Sequence, residues 1–589
     1  MDWRSRFSAF RAWLLRRPSP SLICLLVALV TINVLWGFWA RDLTYGDTVY
    51  YFGQAALWRK SGLVDIVWSP IYAMYYGSWL WVTGDAEIAT FLHRIGLILA
   101  SVALLIWIGL VSLPRTLTLL LAIWWIALPI HYDTLYEVHL FGALPILLIS
   151  GLALTWSSSL WRLPLILGIA VATTLLIRNE YIILCAVLAV WALRETYVVW
   201  QRTGGGAASK VALRYALCIS LAFAAGIAAY AGSWDRGERA KRSANIKHTL
   251  NMCQVYAFGY QQREPSWNKN PWTECQELMK TKFGIGLPTL QQMLVNNPAE
   301  VWHHFLWNLS LTRAGAEVLL TNATASEYNP DYVSVHKSRM WPTAVVLCLL
   351  FLLLGGGWKI YRANTVYTSA ARQHLIRIAP ILVGLILVTG AVIVTQRPRP
   401  SYLLAQGALY VWAVLLALGG LLPNNLAKWD SRLAAILLTL LAIWFVPPFR
   451  SIELRSKHGN LGEAYETFIG VSERTCAARA RGNMFIPFYT AELSRYLCAP
   501  FHTVEQGDFI EAIGLAALGE GATANAQAFV RALDNQDVTS ALVVPPLLSQ
   551  NPALGDCRVL QDAFRQDGWL LLSYRDKEDD ECYAALVRN

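Results

Sequence analysis

The stretch Arg41-Asp42-Leu43-Thr44-Tyr45-Gly46-Asp47-Thr48-Val49-Tyr50-Tyr51 follows the first long apolar run and opens an aromatic, helix-forming segment. A carboxylate at the lip of a bilayer is costly unless it has a partner or a task, so Asp47 marks a functional site by default. An Asp at this position also caps a helix beginning at Thr48, and the two roles are compatible. Polar and charged residues recur at the ends of other apolar runs: Asp42 and Asp65 near Asp47; His131, Asp133, Glu137 and His139; Arg178 and Glu180; and Arg397 and Arg399, just before Tyr402. On one membrane face, acid at some ends and guanidinium at others would suit an amphiphilic phosphate ester, its tail in lipid and its phosphate at the surface. Plainer readings stand beside these. Asp42 and Asp65 fit solvated charges, Asp133 and Glu137 are an i,i+4 step that capping also explains, Arg178 and Glu180 fit a mutual ion pair, and Arg397-Pro398-Arg399-Pro400 fits a basic turn facing water.

These residues need elements to position them, and composition says which kind. The chain has 589 residues, 56% hydrophobic and 15% charged, with a mean hydropathy of +0.39. Such a composition belongs to polytopic membrane proteins and excludes an ordinary soluble enzyme. The net charge of +10 comes from Lys and Arg gathered mainly between apolar runs, which speaks of orientation and anionic lipid; no nucleic-acid motif accompanies it. Apolar stretches of spanning length lie near 22–40, 93–113, 117–131, 139–156, 161–177, 181–198, 212–231, 341–358, 376–395, 401–422 and 433–449. The expected fold class is therefore an α-helical polytopic membrane protein of about eleven transmembrane helices. Arg4, Arg6, Arg11, Arg16 and Arg17 ahead of a long first run suit a retained helix with its N-terminus in the cytoplasm, not a cleaved signal peptide.

Sidedness can be tested twice on the sequence. Segments assigned to the cytoplasm hold Arg115, Arg162, Arg194, Arg202, Lys210, Arg214, Lys359, Arg362, Arg372, Arg377, Lys428 and Arg432. Cys253, Cys275, Cys476, Cys498, Cys557 and Cys582 all fall outside, as expected of disulfides in an oxidising compartment; Cys253 and Cys275 are the natural pair, and the other four leave three pairings open.

The expected organisation is a membrane domain, 1–449, with extracytoplasmic loops at 41–92 and 232–340, and an extracytoplasmic α/β domain, 450–589. In the first loop, 48–60 reads as an interfacial helix, separated by Pro70 from a Trp- and Tyr-rich segment, 68–79. In the long loop, 287–295 and 298–320 have helical patterns; Trp302, Phe305 and Trp307 suit a membrane surface, and His303-His304 suits a polar helix face. The C-terminal region reads as helices at 462–480, 525–533 and 558–566 with strands at 540–544, 569–574 and 582–587, the last two forming a hairpin around an acidic turn. Gly204-Gly205-Gly206 lacks the Lys and helix context of a phosphate cradle, and no Ser/His/Asp or dinucleotide motif is present.

Three groups of residues give the chain a family likeness. They are Asp47 with Tyr50-Tyr51-Phe52-Gly53-Gln54-Ala55-Ala56-Leu57-Trp58 and Gly62; Pro70, Tyr72 and Tyr75-Tyr76 running into Gly84 and His93-Arg94; and Ile177-Arg178-Asn179-Glu180-Tyr181. The layout resembles the GT-C superfamily of polytopic glycosyltransferases, including mannosyl- and aminoarabinosyltransferase-like members, over roughly 22–193. The third group is similar to an Arg-Pro-Glu-Gly element of several members, with Asn179 and Tyr181 in place of Pro and Gly. The resemblance implies transfer of a sugar from a polyprenyl-phosphate carrier to an extracytoplasmic glycan, lipid or protein in the bacterial inner membrane. Asp47 would be the general base in an inverting displacement. Arg94, Arg178, Arg397 and Arg399 would stabilise the departing phosphate, with Glu180, Tyr402, Asp133, Glu137 and His139 among the substrate-binding candidates. No cofactor is required, although some relatives use a divalent cation, for which Asp133, Glu137 and His139, with His131, carry suitable donors. Two alternatives stay open: a transporter or flippase of lipid-linked saccharides, which would need broken helices near the midplane and internal symmetry, and an oligosaccharide transferase or ligase, which would need further clustered acids in the long loop.

Overall fold

The computed structural model describes residues 11–36, 69–84, 86–128, 137–155, 159–231, 237–271, 274–312, 341–362, 365–398, 402–422, 430–446, 482–486, 501–505, 522–535, 537–543, 547–548, 552–577 and 581–588, with isolated positions elsewhere. Each apolar stretch predicted above carries a helix. These are α1 (Pro20–Leu35), α3 (Ala86–Ser112), α4 (Arg115–Ile126), α5 (Glu137–Thr155), α6 (Ser159–Leu176), α7 (Ile182–Thr203), α8 (Gly205–Ala231), α13 (Trp341–Arg362), α14 (Val366–Gln396), α15 (Leu404–Leu421) and α16 (Arg432–Phe445). Between them lie α2 (Pro70–Thr83) and the long-loop helices α9 (Gly237–Arg263), α10 (Cys275–Phe283), α11 (Leu290–Asn296) and α12 (Pro298–Ser310). Among the described residues, six helices are long and apolar enough to cross a membrane, and four further apolar helices are shorter. The chain is thus a helical protein of multi-pass membrane character.

Caps fix several starts. The Ser19 side chain accepts from the Leu22 amide at 3.1 Å at the head of α1, and Thr365 forms a capping box with Thr368 at the head of α14. α14 begins ten residues before its apolar stretch, because polar residues continue a helix as readily as apolar ones once it is started.

Contacts between helix ends sort into two sets. Residues 16–18, 115–116 and 430–432 meet: Arg17 pairs with Asp430 at 2.7 Å, the Thr116 amide donates to Asp430 at 3.0 Å, the Arg432 amide donates to the Arg16 carbonyl at 2.8 Å, and Arg115 donates to the Pro18 carbonyl. Arg377 donates to the Leu154 carbonyl at 3.1 Å in the same manner. At other ends, Asn33 donates to the Val446 carbonyl at 3.2 Å, and Asn308 to the Val394 carbonyl at 2.9 Å. Each of these contacts joins segments that the charge pattern assigns to one side.

The long loop is a helical unit with its own core of Tyr256, Ala257, Leu278, Met279, Phe283, Met293 and Val301 around the Cys253–Cys275 disulfide, whose Cα atoms are 5.5 Å apart. The pairing expected from sequence is therefore found. α9, by contrast, was not expected: its polar composition carries no apolar stripe, and residues of its last turns, from Leu250 to Tyr260, face this core. The helix expected at 298–320 is described as far as Ser310, with positions beyond 312 largely outside the described residues.

Two compact units emerge, one of Met1–Phe38, Leu57–Ser78 and Leu92–Ile452, the other of Trp39–Ala56, Trp79–Phe91 and Glu453–Asn589. The described C-terminal elements of the second are β1 (Gly482–Ile486), β2 (Phe501–Glu505), α17 (Ala522–Asn535), β3 (Val538–Val543), α18 (Cys557–Gln566), β4 (Trp569–Lys577) and β5 (Glu581–Arg588). The sheet order is β2-β1-β3-β5-β4, parallel from β2 to β3 and antiparallel thereafter. The predicted hairpin is β4–β5, with Trp569 opposite Arg588 and Lys577 opposite Glu581. β1 and β2 were missed. Phe529, Leu533, Leu560 and Phe564 form the core between helices and sheet. Cys557 is disulfide-bonded, and the helix expected at 462–480 lies outside the described residues.

Candidate functional site

Three helix ends bring four of the predicted residues together. α6 closes at Leu176, and the chain turns through Arg178 in an extended conformation (φ −146°, ψ 111°) into a short 3-10 turn, Asn179–Tyr181, before α7 begins. This corner puts Arg178 and Glu180 on one side of the turn. Glu180 Oε1 accepts from Arg178 Nε at 2.7 Å and lies 2.6 Å from Nη2. Arg178 Nη1 lies 3.4 Å from His139 Nε2, near the start of α5, and its guanidinium carbon sits 4.7 Å from the centroid of the Tyr402 ring, ahead of α15. His139 and Tyr402 are themselves 4.9 Å apart, ring to ring.

Two physical features hold this cluster rigid. The guanidinium is fixed edgewise by a carboxylate and facewise by an aromatic ring, which lysine could not reproduce. Gly142, one turn past His139, leaves the room the side chain occupies: a Cβ there would stand 3.0 Å from Arg178 Cγ. The Arg178 and Glu180 side chains keep 14% and 22% of their exposure, so the group is sheltered yet open to a ligand. The ion pair foreseen as the plainer reading does form, and it orients the guanidinium.

The second group, His93-Arg94, lies inside α3 and is buried. Tyr72 Oη is 3.1 Å from His93 Nε2, Tyr75 Oη donates to the His93 carbonyl at 2.8 Å, and Tyr76 stacks on the imidazole with centroids 3.7 Å apart. Phe141 of α5 closes the box, 5.4 Å from both Tyr72 and Tyr75. The sequence pointed to Arg94 and to the tyrosines as a group; that they enclose the neighbouring imidazole it did not show, since helix phase alone places no partner.

The third group surrounds Arg397. The basic turn does not expose this residue to water: Arg397 is buried, with its guanidinium carbon 4.9 Å from the Phe258 ring centroid of α9. Its backbone is left-handed (φ 77°, ψ 157°), a region almost reserved for glycine, so α14 ends in a strained residue. Beside it, α12 docks on the last turn of α14. His304 Nε2 is 3.1 Å from Asn308 Nδ2 and 3.4 Å from the Thr395 carbonyl. His304 is therefore no part of a polar face: it is fully buried while His303 is exposed, because α12 turns Val301, His304 and Asn308 inward. Burial first, and then the nearby Arg263 and Arg397, push its pKa down to about 4.

Asp47, Asp133 and Arg399 lie outside the described residues, as do Asp42, Asp65 and His131; of Glu137 only the backbone is described. Among the described residues no three His, Cys, Asp or Glu side chains gather as metal ligands. Of the 48–60 helix, isolated positions are described, and these are helical. No family model matches the chain, and no curated protein or solved structure matches it either.

Proposed function

We propose that the protein is an integral membrane glycosyltransferase that moves a sugar from a polyprenyl-phosphate donor to an extracytoplasmic acceptor, with inversion. The observation that carries this reading is the convergence of Arg178, Glu180, His139 and Tyr402 at the ends of apolar helices. A held guanidinium with a neighbouring imidazole is the equipment a lipid-linked phosphate leaving group requires. The phosphate is already a good leaving group, so the chemistry asks for cationic stabilisation and one base rather than a strong acid. Asp47 is the base, taking the proton from the acceptor hydroxyl as its oxygen attacks the anomeric carbon and the carrier phosphate departs. The N-terminus then lies in the cytoplasm of a bacterium, and the long loop and C-terminal unit in the periplasm.

The test is transfer from radiolabelled polyprenyl-phosphate sugars, offered singly to purified protein in lipid. Asp47→Asn is expected to lose at least a hundredfold in rate while keeping expression and thermal protection by donor. Full activity in that variant removes the assignment of the base; failure of every donor to protect or turn over removes the glycosyl-transfer reading.

A further inference from the structure

A cleft of about 440 Å³ opens in the long loop, sharing no lining residue with the Arg178 corner, between the α9 end (Tyr260, Arg263 and Glu264), Lys282 of α10, and Glu300 and Trp307 of α12. We propose that this cleft is a saccharide-binding site that seats the acceptor sugar.

Its polar groups are held in advance of any ligand. Arg263 Nη2 lies 3.3 Å from Glu300 Oε1, the same oxygen accepts from Tyr256 Oη at 2.9 Å, and Lys282 Nζ rests 4.7 Å from the Tyr260 ring centroid. Trp307 is half-buried, with its indole N–H donating to Gln262 Oε1 at 3.3 Å, which fixes the plane of the ring beside the cleft. Formal charges in the lining balance, Arg263 and Lys282 against Glu264 and Glu300, so the cleft has no net charge to draw in an anion or a cation from a distance. What it offers is a flat apolar ring next to several planar or flexible hydrogen-bonding groups, complementary to a molecule with one C–H face and a rim of hydroxyls. That molecule is a sugar.

The placement suits an acceptor. The inner stripe of α12 docks on the end of α14, a helix long enough to span, which puts the cleft beside the end of an apolar helix. The outer stripe, Trp302, Leu306 and Leu309, is exposed at i, i+4 and i+7, an apolar face of the kind that rests on a membrane surface. The disulfide staples α9 to α10, two of the helices that supply the lining. The role of acceptor site rests on the glycosyl-transfer reading; the binding of sugar does not.

The test uses full-length protein in phosphatidylethanolamine–phosphatidylglycerol nanodiscs, titrated calorimetrically with maltotriose, N,N′-diacetylchitobiose and trigalacturonic acid, and with sodium phosphate as the anion control. At least one sugar is expected to bind, Trp307→Ala to weaken it tenfold or more, Trp307→Phe to restore most of it, and Trp302→Ala, outside the cleft, to bind as wild type. Absence of binding for all three sugars, heat from phosphate alone, or wild-type affinity in Trp307→Ala overturns the proposal. Thermal melting of the variants separates loss of the site from loss of the fold. If sugar titrates while no polyprenyl-phosphate donor is turned over or protects, the cleft stands and the transfer reading falls; if donor turns over and sugar does not bind, the reverse holds.

Discussion

At Arg178 the demands on one side chain are unusually specific, because a carboxylate, an imidazole and a phenol ring all address the same guanidinium. Lysine keeps the charge and loses both the fork and the stacking plane, so Arg178→Lys is expected to cut transfer about a hundredfold, roughly 3 kcal/mol in transition-state energy, with expression unchanged. A rate within threefold of wild type would show that only charge matters there. Arg397 makes the opposite case, with strain in the backbone and a buried head group. Arg397→Gly relieves about 1–3 kcal/mol of strain and forfeits the packing on Phe258, so its melting temperature should stay near wild type while activity drops; melting and transfer assays on one preparation decide the point. His304 supplies a pH dependence. Its folded pKa is depressed to about 4 from an unfolded value of 6.5, so the folded state holds the neutral imidazole. As pH falls below 6.5 the unfolded chain takes up a proton that the folded chain refuses, and stability is lost progressively until about pH 4, on the order of 3 kcal/mol in all. Wild-type protein should therefore melt earlier at pH 5 than at pH 7, and His304→Gln should show a smaller difference; equal slopes would assign the acid sensitivity to other groups.

Among the helices, legibility follows the solvent. Among the described residues hydropathy located six apolar helices of spanning length and four shorter ones, because lipid-facing and core-facing residues are both apolar. The same signal was silent on α9, whose polar opening sequence and final apolar turns have no single period, and on β1 and β2, whose pairing is a property of the sheet and not of either strand. Site residues were legible in type but not in association. Arg178, Glu180, His139 and Tyr402 could be marked as unusual at span ends, yet nothing in their spacing tied a residue of α5 to one ahead of α15, because that contact is set by helix packing. One such packing turns on Gly356 of α13, where an added Cβ would collide with the Ala417 carbonyl on the backbone of α15. Small residues allow this close approach in lipid, and Gly356→Ala is expected to cost about 1–3 kcal/mol and to lower the melting temperature in detergent. Unchanged melting would mean that α13 and α15 can separate at no cost.

Taken as a whole molecule, the membrane unit makes its contacts as though two water layers had sorted its ends. Residues 16–18, 115–116 and 430–432 interlock by an ion pair and backbone hydrogen bonds, whereas the Arg178 corner, His139 and Tyr402 interlock elsewhere, and α12 caps the end of α14. Basic residues crowd the first set, and the Cys253–Cys275 disulfide lies in the long loop whose α12 caps α14, so the proposed orientation draws on charge and on redox chemistry together. That agreement makes a topological prediction which needs no knowledge of the substrate. In a background with Cys24, Cys185, Cys218 and Cys348, the free cysteines among the described residues, replaced, and with labelling read against that parent, Ser310→Cys on exposed α12 should react with a membrane-impermeant maleimide in cells whose inner membrane is intact. Ser209→Cys on exposed α8 should react only after that membrane is opened. Labelling of both from the same side would place the two ends of the bundle in one compartment. It would remove the basis for the proposed extracytoplasmic acceptor site, because the charge pattern would no longer assign α12 and the start of α8 to opposite faces.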